Sequence, residues 1–248
     1  MAFDIKKDPS KIIIAGTGDG WQLIPRVTDR VVYCLNDFVF YERYKIKPDI
    51  LFILDILDEK PQIVSGSTNL GDVVKRINDM GCPLIAPFKY EEIPNSHAFP
   101  LERCVREFGQ PYFLNTIGYM IAYALLAFTD QVRAEQQIKT EEPVLLSGKE
   151  LALYGVNQAS SSEYFYEKAA VEYWLGIANG RGVKITINGE RSELLTNKAR
   201  LGGNLLYGYN GTYEAIKQGQ QKFGSQIVKR LSGPPKQFSR VVRKIYNT

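Results

Sequence analysis

An apolar, β-branched run that leads directly into a glycine-rich loop constrains the fold of this chain more than any other feature. The run and loop read Ile12-Ile13-Ile14-Ala15-Gly16-Thr17-Gly18-Asp19-Gly20. A short apolar run without polar alternation is typical of a strand that is buried on both faces of a parallel sheet. Glycines after such a strand let the backbone approach a phosphate, whose charge is favoured by the N-terminus of the next helix. The segment therefore predicts a Rossmann-type strand, loop and helix that bind a nucleotide.

The rest of the chain alternates between short apolar runs and segments with helical spacing. Strands are predicted within residues 31–35, 49–54, 82–87, 144–154 and 183–187, and helices over residues 70–79, 116–128 and 163–178. Residues 90–107 contain two prolines and little periodicity, which predicts a long loop. The alternation predicts an α/β fold, a Rossmann-like three-layer sandwich with a mostly parallel sheet. We assign residues 1–212 to this domain and residues 213–248 to a basic, helical C-terminal extension.

The glycine loop differs from two well-known phosphate-binding motifs. Trp21 occupies the position where a dinucleotide fingerprint needs its third glycine, and no Gly-Lys-Ser/Thr follows as in a Walker A loop. A tight strand-to-helix turn without a ligand is the structural alternative for this loop.

Polar residues follow several of the predicted strands, and in a parallel sheet the strand ends share one edge. Asn36 follows the second strand, where it could bond a ribose or phosphate, or cap a turn. Asn115 and Thr116 precede the strongest predicted helix, as a cap or as a phosphate contact. Gly155 and Asn157 follow a later strand. The predicted nucleotide contacts are Gly16, Thr17, Gly18, Asp19, Gly20, Asn36, Asn115, Thr116 and Gly155.

The candidates for acid, base or metal chemistry are few. His97 is the one histidine in the sequence, and in the predicted loop it could act as an acid or base near neutral pH, although an exposed loop histidine is the commoner case. The three cysteines are widely spaced and form no C-x-x-C pair, so no zinc site or disulfide framework is indicated. We predict no metal.

Charge is distributed unevenly along the chain. Residues 215–248 contain eight basic residues and no acidic ones, although the net charge of the whole chain is only +4. Such a tail suits nucleic acid or an acidic partner chain, or it is simply solvated. The first residues resemble no signal peptide, and no apolar run is long enough for a membrane span. We expect a cytoplasmic protein without membrane contact, and leave its oligomeric state open.

Several segments together resemble bacterial sialyltransferases and the wider group of pterin diphosphokinase-like proteins. They are residues 12–20, 33–38, 113–127 and 151–158, in that order. A further likeness to uncharacterised phage-encoded proteins lies in residues 153–156, 163–164, 172–183 and 205–208. In sialyltransferases the glycine loop and the Asn after the second strand contact the nucleotide of a CMP-sugar, which implies the same role for Gly16 to Gly20 and for Asn36.

The resemblance also has departures. The later turn of the family usually carries an acid after Gly-Val or Gly-Ile, where this chain has Asn157. Sialyltransferases have a C-terminal catalytic histidine, and no histidine follows His97 here. The fold is therefore expected to carry over better than the sugar transfer.

The first functional hypothesis is a nucleotide-binding, glycosyltransferase-like enzyme with a CMP- or UDP-linked donor, in which Asn157 and Glu163 face the acceptor. His97 completes the set of predicted catalytic residues. The alternative is a non-catalytic binding or assembly protein of a phage, which keeps the fold and docks nucleic acid or another chain through its basic tail. A diphosphokinase-like reaction with ATP, magnesium and a pterin is the third, and the missing acid at Asn157 disfavours it because magnesium prefers carboxylates.

Overall fold

A computed structural model describes residues 6–57, 70–158, 164–189 and 191–194 of the chain. The chain divides into two compact units, Met1–Arg200 and Leu201–Thr248, and every described residue belongs to the first. The predicted basic extension at residues 213–248 and the phage-like segment at residues 205–208 therefore lie outside the described residues.

The described residues form one sheet of seven parallel strands. In chain order the strands are β1 Asp8–Ala15, β2 Arg30–Leu35, β3 Ile50–Phe52, β4 Leu84–Ala86, β5 Ser96–Ala98, β6 Glu150–Tyr154 and β7 Lys184–Asn188. Their order across the sheet is β5-β4-β3-β2-β1-β6-β7. The α/β, Rossmann-like sandwich predicted from the sequence is confirmed, and its sheet is entirely parallel in this part of the chain.

Helices cover both faces of the sheet. They are α1 Tyr41–Tyr44, α2 Leu70–Met80, α3 Leu101–Phe108, α4 Thr116–Gln136 and α5 Tyr164–Gly180, and two short 3-10 helices span Trp21–Leu23 and Asn36–Val39. One apolar core joins one face of the sheet to α3, α4 and α5, and a second core joins the other face to α1, α2 and the 3-10 helix at Asn36–Val39. The sheet is thus the middle of three layers, as the apolar strand pattern requires.

Strand β1 shows why the sequence contains an unbroken apolar run. Ile12 and Ile14 point into the core beside α4 and α5, whereas Ile13 and Ala15 point into the core beside α2. All four are fully or almost fully buried. Because successive side chains of a strand alternate between faces, a strand covered on both faces needs apolar residues at every position.

Helix α4 is longer than the sequence predicted. Its apolar face continues past residue 128 to the buried Val132, so the helix extends to Gln136 and ends where Gln137 adopts a left-handed conformation (φ 55°). α4 packs against β1, β2 and α5. It is therefore the central helix on its face of the sheet.

The prediction of a long loop over residues 90–107 is wrong. This segment contains β5 and most of α3. Neither element has a clear hydrophobic pattern in the sequence. Strand β5 has three residues, of which His97 and Ala98 are exposed, so it has no apolar alternation. In α3 only Cys104 is buried, and its neighbours are mostly charged.

Candidate functional site

The order of the strands reverses at β1. Strands β2 to β5 follow one another on one side of β1, and the chain then crosses back to place β6 and β7 on its other side. In open parallel sheets, ligands bind in the crevice beyond the carboxyl ends of the strands at such a reversal. The turns after β1 and β6 therefore define the candidate site, and both are glycine turns.

The two turns are in direct backbone contact. The Gly16 N–H donates to the Tyr154 carbonyl oxygen at 2.7 Å, and the Gly18 N–H donates to the Gly155 carbonyl oxygen at 2.9 Å. A Cβ atom on Gly16 would lie 2.5 Å from the Gly155 oxygen, and one on Gly155 would lie 2.3 Å from the Gly16 oxygen. Gly155 also has φ +64°, a left-handed conformation that favours glycine. These glycines are therefore required for the two turns to meet.

This contact changes the interpretation of the glycine loop. The sequence predicted that its glycines bring the backbone close to a phosphate, but the amides of Gly16 and Gly18 already donate to carbonyl groups. The Gly20 N–H donates to the Gln22 side chain at 3.2 Å. Thr17 and Asp19 are exposed on the outer side of the loop. A ligand of this site would consequently meet Thr17 and Asp19 rather than a cradle of glycine amides.

Asn157 fastens the two turns together through its side chain. With its amide oriented to satisfy both groups, Nδ2 donates to the Asp19 carbonyl oxygen at 3.0 Å and Oδ1 accepts from the Asp19 N–H at 2.9 Å. The Asn157 carbonyl oxygen accepts from the Glu193 N–H at 2.7 Å. An aspartate could not make the first of these bonds, because a carboxylate has no donor. The structure thus gives Asn157, predicted to be catalytic, a bracing role that requires asparagine.

The turn after β7 adds a third side to the site. A Cβ atom on Gly20 would lie 3.2 Å from the Asn188 carbonyl oxygen, and one on Gly189 would lie 3.3 Å from the Asp19 carbonyl oxygen. The carboxylate of Asp19 pairs with Arg191, and both side chains are more than half exposed. Sequence reasoning did not select Gly189 or Arg191, although the Asn-Gly pair after a predicted strand was a turn signal.

Asn36 borders the glycine loop on the opposite side, after β2. It begins the 3-10 helix at Asn36–Val39 and has a left-handed backbone (φ 35°). Its side-chain oxygen Oδ1 is buried and, among the described residues, has no hydrogen-bond partner. Buried polar atoms are nearly always paired in folded proteins, so an unpaired one at a strand end marks a candidate ligand contact.

Asn115, another predicted contact, has structural partners. Asn115 is the N-cap of α4, where Oδ1 accepts from the Gly118 N–H at 2.9 Å and Nδ2 donates to Glu167 Oε2 at 3.2 Å. Its side chain thus joins the start of α4 to α5, and Thr116 is half-buried in the first turn. Of the two roles considered for Asn115, helix cap and phosphate contact, the structure shows the cap.

The remaining predicted residues are not brought together with the glycine turns. His97 lies exposed in β5, the outermost strand on the far side of the sheet. Four strand spacings separate β5 from β1, a distance of about 19 Å. Glu163 lies outside the described residues.

Two further findings concern metal ions and membranes. No group of three or more His, Cys, Asp or Glu side chains in the described residues is arranged to hold a metal ion. None of the helices in this part of the chain combines the length and hydropathy that crossing a bilayer requires.

Comparison with known proteins gave no match among family models, curated proteins or solved structures.

Proposed function

We propose that this protein binds a nucleotide sugar, CMP- or UDP-linked, in the crevice beyond β1 and β6, and transfers the sugar to an acceptor. The observation that carries the proposal is the convergence of glycine turns at the reversal of strand order, because this is where parallel α/β sheets bind nucleotides. The sequence resemblance to sialyltransferases supports the same location.

The polar groups around the crevice fit the parts of such a ligand. The unpaired oxygen of Asn36 suits a hydroxyl of the ribose, which can donate a hydrogen bond. The guanidinium of Arg191 suits a phosphate, since Arg binds phosphate oxygens in bidentate fashion. Arg191 is paired with Asp19 in an exposed ion pair, and such pairs contribute at most about 1 kcal/mol. A phosphate could therefore replace the Asp19 carboxylate at little cost.

In the proposed transfer, the acceptor oxygen forms a bond to the anomeric carbon while the bond from that carbon to the phosphate oxygen breaks. The nucleotide leaves with the electron pair, and a base takes the acceptor proton. Of the predicted catalytic residues, Asn157 is used as a brace and His97 lies at the far edge of the sheet. Glu163 is the remaining candidate for the base.

The test is titration of the protein with a panel of CMP, UDP and their sugar conjugates, with binding measured by isothermal calorimetry and NMR. We expect binding that Arg191→Ala weakens at least tenfold, since a hydrogen bond to a charged group contributes roughly 1.5–3 kcal/mol. Arg76→Ala is the matched control, because Arg76 also forms an exposed pair, with Glu42 on a different part of the surface. Binding by no member of the panel would overturn the proposal.

A second candidate is a binding or assembly protein that keeps the fold without catalysing transfer. The side chain of Asn157 favours it, because both of its polar atoms are used in holding Asp19. The basic residues of the C-terminal segment would then dock nucleic acid or another chain. Gel-shift and size-exclusion measurements with and without residues 232–248 test this role, which fails if the deletion alters neither result.

A further inference from the structure

Gln158 combines burial, a left-handed backbone and a side-chain oxygen without a hydrogen-bond partner among the residues that the structure describes. It follows the brace residue Asn157 in the turn after β6, and only 7% of its surface is exposed. Its backbone is left-handed, with φ 48°. Its side-chain oxygen Oε1 is buried and has no hydrogen-bond partner within the described part of the chain.

The left-handed backbone and the unpaired oxygen both oppose folding. A residue other than glycine is strained at positive φ, and a buried acceptor without a hydrogen-bond partner has lost its bond to water. Strained backbone conformations cluster at sites that bind or react with ligands, and a buried unpaired polar atom calls for a partner such as a ligand or an ion. Gln158 was not selected from the sequence, where it is one polar residue in a loop.

The position of these features is selective. In the described residues, positive φ occurs at four residues other than glycine, namely Asn36, Lys45, Gln137 and Gln158. Among these four, Asn36 and Gln158 have a buried unpaired oxygen. The two follow β2 and β6, which are the two strands that flank β1. One unpaired acceptor is thus found on each side of the glycine loop, at the reversal of strand order.

The neighbouring residue fixes the backbone of Gln158 in place. Asn157 is held on one side by its two side-chain bonds to Asp19 and on the other by the bond from the Glu193 N–H to its carbonyl oxygen. Gln158 therefore leaves a turn that is fastened both to the loop after β1 and to the segment after β7. A fixed backbone reduces the freedom of the side chain to turn its oxygen towards water.

We propose that Oε1 of Gln158 accepts a hydrogen bond from an uncharged N–H or O–H donor of the ligand, and that it determines specificity for ligands with such a donor. An amide oxygen repels phosphate oxygens, so the group that it binds is a ribose hydroxyl or the exocyclic amine of a base. This inference rests on the proposed nucleotide site for the identity of the ligand. The need for a neutral donor follows from the unpaired oxygen itself.

The test replaces the amide by an apolar side chain of similar length. We expect Gln158→Met to raise the melting temperature of the free protein, because the unpaired oxygen is removed, and to weaken binding of CMP and cytidine at least tenfold. Gln137→Met is the matched control, since Gln137 also has a left-handed backbone (φ 55°) but is exposed at the end of α4. This variant should bind both ligands like the wild type.

Analogue ligands identify the donor. Cytidine is compared with uridine, which lacks the amine, and with 2′-deoxycytidine, which lacks one hydroxyl. An analogue that lacks the group bound by Gln158 should bind the wild type more weakly than cytidine does. The same analogue and cytidine should bind Gln158→Met with equal affinity. If Gln158→Met does not fold, the side-chain amide resonance of Gln158 in the wild type is followed by NMR during the cytidine titration, and it should shift.

The possible outcomes separate this inference from the proposed function. If CMP binds the wild type and Gln158→Met equally, or if the Gln158 resonance is unmoved at saturation, the role of Gln158 is overturned and nucleotide binding stands. If no nucleotide or nucleoside binds, but a free monosaccharide binds the wild type and not Gln158→Met, the role of Gln158 stands and the nucleotide proposal falls. If none of these ligands binds the wild type, both are overturned.

Discussion

The side chain of Asn157 and the backbone of Asp19 are joined by two hydrogen bonds of 3.0 and 2.9 Å, one in each direction. An asparagine side chain presents the same donor and acceptor as a peptide group, so it extends the contact between the turns after β1 and β6 by one more pair of bonds. An acidic residue at position 157, as in the sialyltransferase-like pattern, would lose one of these two hydrogen bonds.

Asn157→Asp should therefore destabilise the protein. The substitution removes the donor to the Asp19 carbonyl oxygen and places a carboxylate oxygen against it. We expect the free energy of unfolding in urea to fall by about 2 kcal/mol. Asn95→Asp is the control, because Asn95 also donates to a carbonyl group, that of Gly81, but is exposed, and it should change stability by less than about 0.5 kcal/mol. Equal stability of Asn157→Asp and wild type would contradict the bracing role.

Gly155→Ala should be among the most damaging single-methyl additions at the glycines that the structure describes. The new Cβ would lie 2.3 Å from the Gly16 oxygen and 2.7 Å from the Gly18 oxygen, which are backbone atoms that cannot rotate away. We expect a loss of about 3 kcal/mol or more, from steric overlap together with strain at positive φ. Gly148→Ala separates the two effects, because Gly148 has φ +83° with no atom within 4 Å of the added Cβ. The stability lost in Gly148→Ala, about 1 kcal/mol, measures strain alone. A similar loss of stability in both variants would refute the close approach of Gly155 to the Gly16 oxygen.

Glu107 joins the ends of three helices and should be important for stability. It accepts from Arg133 and from Arg181, each at 2.8 Å, and its own side chain is 7% exposed. Glu107→Gln leaves two largely buried guanidinium groups without a counter-charge, and we expect it to cost about 3 kcal/mol in urea unfolding. Glu42→Gln breaks an exposed pair with Arg76 and should cost less than about 1 kcal/mol. Comparable costs would show that Glu107 is unimportant for joining the helices.

Acid should weaken the start of β1 through Asp8. Hydrogen bonds from the Ser10 hydroxyl and N–H, followed by that from Lys11, lower the pKa of Asp8 from 3.8 to about 2. A carboxylate with a lowered pKa in the folded state stabilises the protein above its unfolded pKa, and the effect is lost as the pH falls through the folded value. Between about pH 4 and pH 2, the unfolding free energy of the wild type should therefore fall more steeply than that of Asp8→Asn. Parallel curves for the two proteins would exclude Asp8 as a source of the acid sensitivity.

Much of the fold could be predicted from the sequence because its strands are buried on both faces. Such strands are apolar without interruption, as at residues 12–15 and 31–35, and they are distinct from the helices between them. Strand β5 was missed because a three-residue edge strand with an exposed His97 has no such pattern. Because β5 was missed, His97 was counted among the candidate site residues, whereas the structure places it at the far edge of the sheet.

The site itself was only partly predictable. The glycine turns and Asn36 could be identified, since glycine and asparagine after a strand are local signals. The contact of Gly16 with Gly155 could not be predicted, because it depends on which strand becomes the neighbour of β1. The same applies to the bracing role of Asn157 and to the burial of Gln158, both of which exist only once β1 and β6 are adjacent.

The pairing of β1 with β6 also determines when the site is formed during synthesis. The residues that meet there, Gly16 and Gly155, are separated by more than half of the 248-residue chain. When the first five strands have left the ribosome, one edge of β1 still lacks its partner, and an unpaired strand edge with an apolar second half is prone to aggregate. The crevice can form only after β6 emerges, so more than half of the chain must be synthesised before the two glycine turns can meet.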